Sequence, residues 1–270
     1  MGEFVLKHSQ NGVWYGLFTE FAIRGIKHGV STRLGGRSVQ PFTSLNLGLH
    51  TGDDADTVWH NRQAFCQALG LTADKAVTAE QVHGDVVRLV TETDAGRGAR
   101  HYQEAIDGTD ALITNVPDLP LMLFFADCVP VLIVDPVAKA IGISHAGWKG
   151  TVAKIAQKTV MAMQQSYNTK PADCLVGIGP SIGPCCYEVD EMVISKLRSD
   201  FSKWEELAIP CAGRWQLNLW EANRQQLLEI GVKDRNITVS GICTAENTPV
   251  FFSHRAENGK TGRIGAAITL

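Results

Sequence analysis

Several features that would place this sequence in a broad functional class are missing from it. Its 25 lysines and arginines are not clustered and are outnumbered by 28 aspartates and glutamates. The resulting net charge of -3 argues against binding to nucleic acid. The longest apolar stretch, residues 119–136, contains Asp127, Asp135 and inner prolines, which predicts a core segment and not a membrane span. The first residues lack the pattern of a secretory signal, so we expect a cytoplasmic protein without membrane association.

The composition is typical of a globular protein with a substantial core. Of 270 residues, 44% are hydrophobic and 20% are charged. Because no internal repeat or low-complexity linker divides the chain, we expect one domain spanning residues 1–270. Seven cysteines, an odd number, indicate reduced thiols that serve in packing or metal chemistry. We expect adjacent Cys185 and Cys186 to be structural, since two neighbouring thiols do not easily bind one metal ion.

The chain is organised around two short apolar runs, Val131–Val134 and Ala138–Ile143, which Asp135-Pro136 separates. Runs rich in β-branched residues on either side of such a break predict a buried β-hairpin. Cys128 lies where the first strand is expected to begin, and His145 lies where the second is expected to end. In an antiparallel pair these two ends lie side by side, so the pattern predicts a thiol next to an imidazole.

Elsewhere the sequence predicts strands and helices that do not alternate strictly. A helix is predicted after the acidic residues at 53–56, where apolar residues recur at helical spacing. A strand is predicted to end at Gln81 and His83, which are two residues apart and would face the same side. The last strand is predicted at 264–270. Because strands outnumber helices, we predict an α+β fold with mixed β-sheets.

Three potential metal ligands are predicted at strand ends, namely His83, Cys128 and His145. Two histidines and one cysteine leave one position open on a tetrahedral zinc ion, which is the composition of a catalytic site. Such an ion polarises a substrate or generates hydroxide near neutral pH. Asp127, next to the cysteine, is a candidate for orienting a ligand. The spacing alone is not diagnostic, because buried cysteines and histidines are also common structural residues.

The same thiol and imidazole support a second interpretation. Cys128 beside His145 forms a nucleophile pair for acyl transfer, with Asp127 or Gln81 as a helper. The zinc-deaminase signature, His-x-Glu followed by Pro-Cys-x-x-Cys, is absent. The chain also lacks His-x-His pairs, and its 8 histidines are too few for both a trinuclear copper cluster and a blue copper site.

Eight ordered motifs carry a resemblance to a known family. They span nearly the whole chain: Ser31-Thr-Arg-Leu-Gly-Gly36, Ser44-Leu-Asn-Leu-Gly48, Gln81-Val-His-Gly84, Asp107-Gly-Thr-Asp110, Ala126-Asp-Cys-Val-Pro130, His145-Ala-Gly-Trp-Lys-Gly150, Ile178-Gly-Pro-Ser-Ile-Gly-Pro-Cys-Cys-Tyr-Glu-Val189 and Phe252-Ser-His-Arg255. Together they resemble the bacterial laccase-domain family, whose members are also called multicopper polyphenol oxidoreductases and are described as purine nucleoside phosphorylases. The three proposed metal ligands match the family pattern.

The resemblance implies a fold, a metal and a set of activities. The implied fold is a four-layer α/β/β/α domain similar to the catalytic domain of cytotoxic necrotising factor toxins. The implied metal is zinc, held by the residues that match His83, Cys128 and His145. The implied reactions are phosphorolysis of adenosine, inosine, guanosine and methylthioadenosine, and deamination of adenosine. Copper-dependent oxidation of phenols is also attributed to the family, and we expect it to be incidental because a His₂Cys site readily takes copper.

Five residues are candidates for binding purine nucleosides and phosphate. Arg33 and Arg255 are candidates for holding the anion, and two glycines near Arg33 would let backbone amides approach it. Asn46 and Gln81 could bind ribose hydroxyls or base edges, and Trp148 could stack on the base. Each of these residues also has an ordinary structural interpretation, such as a solvated arginine, a turn hydrogen bond or a core tryptophan.

Three functions therefore remain open from the sequence. The first is a zinc-dependent purine nucleoside phosphorylase with adenosine deaminase activity. The second is a metal-free Cys–His hydrolase or deamidase, and the third is a copper-dependent polyphenol oxidase. Protein purified without added metal is expected to contain zinc, no metal or copper, respectively. We expect the protein to be a monomer or a weak homo-oligomer.

Overall fold

The computed structural model describes residues 2–270. The α-helices are α1 (Thr19–Ile23), α2 (Ala55–Leu69), α3 (Trp148–Val152), α4 (Ile155–Tyr167), α5 (Glu191–Asp200) and α6 (Leu219–Glu229). The strands are β1 (Phe4–His8), β2 (Trp14–Phe18), β3 (Lys27–Ser31), β4 (Val87–Leu89), β5 (Ala111–Thr114), β6 (Leu121–Phe125), β7 (Val129–Asp135), β8 (Ala140–Ala146), β9 (Leu175–Ile178), β10 (Glu188–Val189), β11 (Ala208–Cys211), β12 (Arg214–Leu217), β13 (Ile237–Val239) and β14 (Ile264–Thr269). Within residues 2–270, no helix combines the length and the apolar character needed to cross a membrane.

The strands form two large sheets and one small sheet. One large sheet has five antiparallel strands in the order β1-β2-β3-β14-β6. The other has six strands in the order β13-β9-β7-β8-β5-β4, in which the β13–β9 and β4–β5 pairs are parallel. Strands β10, β12 and β11 form the small antiparallel sheet. The predicted α+β class with mixed sheets is therefore confirmed.

Side chains of the two large sheets alternate between separate apolar cores. In β7, Val131 packs with helices α4, α5 and α6, whereas Leu132 packs between the two sheets. In β6, Leu123 packs between the sheets, whereas Met122 packs with α2. This alternation is the expected result of the two-residue period of a strand that is covered on both faces. The layers are α2, the five-stranded sheet, the six-stranded sheet and the remaining large helices, as the four-layer prediction requires.

The local predictions differ in how well they describe the chain. The predicted hairpin is β7–β8, and the predicted first helix is α2, where the Asp54 side chain accepts a hydrogen bond from the Thr57 N–H. The predicted strand before His83 is instead an extended segment with isolated bridges at Val77 and Ala79. Val77 pairs with Leu121 and Ala79 pairs with Ile106. Because these partners belong to different segments of the chain, no continuous strand forms.

Candidate active site

Cys128 and His145 are positioned by the central hairpin. The chain leaves the five-stranded sheet at the end of β6 and joins the six-stranded sheet at β7, and Cys128 lies in the short loop between them. Strands β7 and β8 pair antiparallel, with Pro130 opposite His145. The thiol and the imidazole are therefore neighbours at one end of the hairpin, as the strand pattern predicts.

His83 reaches this pair from a separate turn. Its backbone has a φ of 60°, so the chain bends there and does not continue as a strand. The centroids of the His83 and His145 rings are 4.9 Å apart, and the rings meet edge to face. The potential ligand atoms of His83, Cys128 and His145 all lie within 4.8 Å of one another. The structure thus brings together the three residues selected from the sequence.

One buried carboxylate, that of Asp110, holds both segments that carry the histidines. Its Oδ1 lies 2.8 Å from His145 Nδ1 and accepts a hydrogen bond of 3.0 Å from the His83 backbone N–H. Its Oδ2 accepts hydrogen bonds from the backbone N–H groups of Val82 at 3.1 Å and Gly84 at 2.7 Å. Because a carboxylate only accepts here, His145 carries a proton on Nδ1 and presents Nε2 to Cys128.

The electrostatics of the cluster favour a thiolate next to an imidazolium. Desolvation raises the pKa of Cys128, but the charge of His145 and hydrogen bonds from both imidazoles outweigh it and lower this pKa to about 6. Desolvation lowers the pKa of His145, but the charge of Cys128 and the hydrogen bond to Asp110 raise it to about 9. The thiolate is the form in which cysteine binds metals or attacks substrates, so the site is prepared for either chemistry.

The donor set fits a metal ion of the zinc type. Two imidazole nitrogens and one thiolate supply three ligands, which leaves a fourth tetrahedral position for a substrate or water. Gly147 keeps the space between the donors free, because a Cβ at this position would lie 2.9 Å from Cys128 Sγ and 3.3 Å from His83 Cδ2. Imidazole and thiolate also bind copper, so the donors define a metal site without selecting one metal.

The three donors line a cavity of about 420 Å³. This volume lies within the range of roughly 300–1,000 Å³ that is usual for small-molecule sites. Aromatic and imidazole side chains from separate segments of the chain form much of its wall: His50, Tyr102, Trp148, Tyr187 and His254. Arg255 and Arg263 also line the cavity. The cavity therefore combines flat stacking surfaces with two positive charges.

Three of the predicted substrate-binding residues line this cavity. The Gln81 side-chain amide both donates to and accepts from the backbone of Phe124, at 2.8 and 2.9 Å. Trp148 begins α3 and is half-buried against the helical core. The Arg255 guanidinium lies 5.2 Å from the centre of the Tyr187 ring. The Arg255 Nη1 also donates to the Glu188 carbonyl at 3.0 Å, which leaves its other N–H groups for a ligand, whereas both ends of the Gln81 amide are engaged with β6.

Arg33 and Asn46 lie outside the cavity, where they stabilise the fold. Arg33 Nη1 donates to the Thr248 carbonyl at 2.8 Å and pairs with the Glu257 carboxylate at 3.0 Å. Asn46 is fully buried, and its Oδ1 accepts a hydrogen bond from the Arg263 backbone N–H at 2.8 Å. Neither side chain lines the cavity, so the structure does not bring Arg33, predicted to hold phosphate, or Asn46, predicted to bind the nucleoside, together with the three donors.

The glycines near Arg33 serve packing between two loops. A Cβ at Gly36 would lie 2.2 Å from the Ser44 carbonyl oxygen. This close approach of two backbone segments requires glycine for steric reasons. Close packing of the two loops is therefore sufficient to explain the glycine at position 36.

Asp127 joins two loops of the cavity wall. Its Oδ1 accepts a hydrogen bond from the Thr244 hydroxyl at 2.7 Å, and its Oδ2 accepts one from the Arg255 backbone N–H at 2.6 Å. The sequence predicts that Asp127 orients a metal ligand, but the carboxylate next to His145 Nδ1 is that of Asp110. Asp127 instead fixes the backbone that carries Arg255.

Several residues of the site are not predicted from the sequence. Asp110 has the clearest signal among them, because it ends the Asp107-Gly-Thr-Asp110 motif and immediately precedes the buried strand β5. Arg263 immediately precedes β14, where its backbone N–H contacts Asn46. His50, Tyr102 and Tyr187 lie outside the long helices and the central sheets, where no periodic pattern indicates the direction of a side chain.

Comparison with known proteins identifies the family. Residues 27–270 match the family described as multi-copper polyphenol oxidoreductase laccase. The chain is 43% identical over 249 residues to purine nucleoside phosphorylase YlmD of Geobacillus stearothermophilus, with 90% of each chain covered. It is 41% identical over 238 residues to purine nucleoside phosphorylase YlmD of Bacillus subtilis, covering 87% of this chain and 85% of the relative. The crystal structure of YlmD from Geobacillus stearothermophilus matches with a TM-score of 0.92 at 40% identity, covering 98% of each chain. The chain therefore belongs to the multi-copper polyphenol oxidoreductase laccase family.

Proposed function

We propose that this protein is a zinc-dependent purine nucleoside phosphorylase that also deaminates adenosine. The observation that carries the proposal is the cluster of His83, Cys128 and His145, which opens into a cavity lined by arginines and aromatic rings. Two relatives, at 43% and 41% identity, are named purine nucleoside phosphorylases, which supports the substrate class. The partners in this reaction are purine nucleosides and inorganic phosphate.

We assign phosphate binding to Arg255 and Arg263. Arg263 Nη1 donates to the carbonyl groups of Thr261 and Gly262, both at 3.0 Å, which orients its guanidinium. Arg255 is held through its backbone N–H by Asp127. Guanidinium groups bind phosphate oxygens through charge-assisted, paired hydrogen bonds. These two residues take the role that the sequence predicts for Arg33 and Arg255.

The aromatic residues of the wall are suited to a purine base. Trp148, Tyr102 and Tyr187 line the cavity, and such rings favour stacked or edge-to-face contacts with other planar groups. In phosphorolysis, a phosphate oxygen attacks the anomeric carbon while the glycosidic C–N bond breaks and leaves its electron pair on the purine. Arginines that hold the phosphate supply proximity and compensate its charge in this step.

His83, Cys128 and His145 would hold the metal ion, and Asp110 fixes the proton of His145 on Nδ1. A zinc ion bound by such residues supplies Lewis acidity. In deamination, a water oxygen replaces the exocyclic amino group of adenosine, which leaves as ammonia. Both reactions act on the purine ring or its bond to ribose, so one cavity can serve both.

A metal-free hydrolase is the second candidate. Cys128 contacts His145, and His145 Nδ1 lies 2.8 Å from Asp110 Oδ1. The three residues can therefore act as nucleophile, base and orienting carboxylate. This is the order of groups in Cys–His–Asp catalysis. Copper-dependent oxidation of phenols is the third candidate, because the family description names it and the donors also suit copper.

The phosphorylase proposal is tested by incubating the zinc-loaded protein with adenosine, with and without phosphate. We expect adenine and ribose 1-phosphate only when phosphate is present, and inosine in both reactions. Unchanged adenosine in both reactions would refute the proposal. Metal content after purification without added metal distinguishes the candidates further, because zinc, no metal and copper correspond to the first, second and third.

His83→Ala separates the metal-dependent reactions from Cys–His catalysis. His83 is one of the three potential metal ligands, but it lies outside the Cys128–His145–Asp110 series. The phosphorylase proposal therefore requires that both adenosine reactions disappear in this variant. His60→Ala is the matched control, since His60 is an exposed histidine of α2 whose Nδ1 contacts the Asp56 carbonyl. If His83→Ala retained the activity of His60→Ala, metal-free catalysis would be the better assignment.

A further inference from the structure

A second cluster of potential metal ligands lies apart from His83, Cys128 and His145. The Sγ atoms of Cys185, Cys186 and Cys243 all lie within 4.8 Å of one another. Cys185 is exposed, Cys186 is half-buried and Cys243 is buried. Two adjacent thiols are not expected to bind one metal ion easily, but here the turn after Pro184 brings both Cys185 and Cys186 to Cys243.

The cluster is built by two chain segments that meet at close range. Ser181 and Cys243 form an isolated parallel bridge, and the Gly183 backbone N–H donates to Cys243 Sγ at 3.2 Å. A Cβ at Gly183 would lie 2.8 Å from the Trp220 ring and 3.1 Å from the Cβ of Cys243. Glycine thus allows the backbone amide to reach the sulfur.

A carboxylate lies close to the three thiols. The Glu246 side chain is a neighbour of the Cys185 thiol. Three thiolates together with one carboxylate or water form a tetrahedral set of the kind that binds zinc. We propose that Cys185, Cys186 and Cys243 bind a second, thiophilic metal ion such as zinc, with Glu246 or water as the fourth ligand.

This ion would connect two loops that form part of the cavity wall. The first loop carries Ile182 and Tyr187, and the second leads from Cys243 towards Arg255. Of these four residues, Ile182, Tyr187 and Arg255 line the cavity. The two loops already converge on Asp127, whose carbonyl accepts from the Ile182 N–H at 2.9 Å. A metal bound at the base of both loops would restrict their separation and so keep this part of the wall in place.

Zinc stoichiometry tests the proposal without relying on activity. Full-length protein is purified with its thiols reduced, equilibrated with Zn²⁺, desalted and analysed for zinc per chain by mass spectrometry. We expect about two zinc ions per chain in the unmodified protein and about one in Cys185→Ser, because each cluster provides one site. Cys211→Ser, which changes an exposed cysteine outside both clusters, is the control and should retain about two.

Hydrogen exchange gives a second readout that does not depend on counting metal. Zinc should slow amide exchange at residues 182–187 and 243–246 in the unmodified protein and in Cys211→Ser, but not in Cys185→Ser. Because Cys185 is exposed, its replacement leaves the core packing intact, and thermal unfolding verifies this. Equal zinc content in Cys185→Ser and Cys211→Ser would overturn the proposal. A disulfide between two of the three thiols in the reduced preparation would overturn it as well.

Discussion

The protein contains two clusters of three potential metal ligands, and the neighbours of their thiols differ. Cys128 stands beside two imidazoles, whereas Cys185 and Cys186 stand beside Cys243 and the Glu246 carboxylate. Despite desolvation, the imidazoles lower the pKa of Cys128 to about 6. Partial burial and hydrogen bonds with neighbouring groups raise the pKa of Cys185 and Cys186. The imidazoles therefore favour a thiolate before any metal binds, whereas a cation must displace protons from the thiols of Cys185 and Cys186.

The clusters also differ in what holds them and in what they face. Asp110 orients the first cluster through side-chain and backbone contacts, and this cluster opens into the 420 Å³ cavity. The second is supported by the Gly183 backbone N–H and reaches solvent through Cys185. An ion in the first cluster can meet a substrate, whereas an ion in the second can only join two segments of chain. The same number of donors thus supports different roles because their surroundings differ.

Matched cysteine substitutions provide the strongest test of this contrast. Serine preserves the size of the side chain but removes the thiolate. Cys128→Ser should lower kcat/KM for adenosine phosphorolysis by more than about 100-fold. Loss of a residue that only orients a metal ligand costs about 10- to 100-fold, and loss of the ligand itself should cost more. Cys185→Ser should change kcat/KM by no more than about threefold, since it contacts no substrate in this proposal. Comparable losses in both variants would mean that the two clusters share one function.

The strand pattern is sufficient to predict two of the three potential metal ligands of the first cluster. β-Branched runs around Asp135-Pro136 define the hairpin, and antiparallel pairing then places Cys128 beside His145. The same pattern, with strands outnumbering helices, was sufficient to predict the α+β class. These inferences succeed because pairing and alternation are local properties of the sequence. His83 converges with the pair because of a turn with positive φ, which no periodicity indicates.

The remaining contacts depend on hydrogen bonds between distant segments, which a single sequence does not reveal. Asp127 precedes Cys128 in the sequence, and Asp110 contacts His145 in the fold. Only Asp110 accepts a hydrogen bond from an imidazole, whereas Asp127 accepts one from the Arg255 backbone N–H. The two glycines close to Arg33 are typical of an anion-binding loop. In the fold, however, the Arg33 guanidinium contacts the Thr248 carbonyl and the Glu257 carboxylate. Residue type therefore identified candidates, and the partners available in the fold decided among them.

Asp110→Asn tests whether the orienting carboxylate distinguishes the first cluster from the second. An amide in place of the carboxylate cannot accept on both sides, so His145 and the turn at His83 lose part of their support. We expect zinc affinity at the first cluster to fall by about 10- to 100-fold. Competition with a chromophoric chelator, in a Cys185→Ser background that leaves only this cluster, measures the change.

Asp135→Asn is the matched control for this substitution. Asp135 is also a buried aspartate, but it accepts from the backbone N–H groups of Val137 and Ala138 at the opposite end of the hairpin. We expect it to lower thermal stability without changing zinc affinity. If both variants bound zinc equally weakly, general destabilisation of the hairpin would explain the loss, and Asp110 would have no special role.

The smallest expected effect concerns the space between the donors. In Gly147→Ala, the new Cβ would lie 2.9 Å from Cys128 Sγ and 3.3 Å from His83 Cδ2, so the donors must move apart. Crowding of this kind costs about 1 kcal/mol, which corresponds to a roughly fivefold loss of zinc affinity at the first cluster. Gly84→Ala is the control, because its nearest contacts, Asp110 Oδ2 at 3.4 Å and Val82 Cγ2 at 3.5 Å, are ordinary. Equal affinities in the two variants would show that the donors tolerate wider spacing, and that the first cluster is defined by the chemistry of its neighbours and not by its tight geometry.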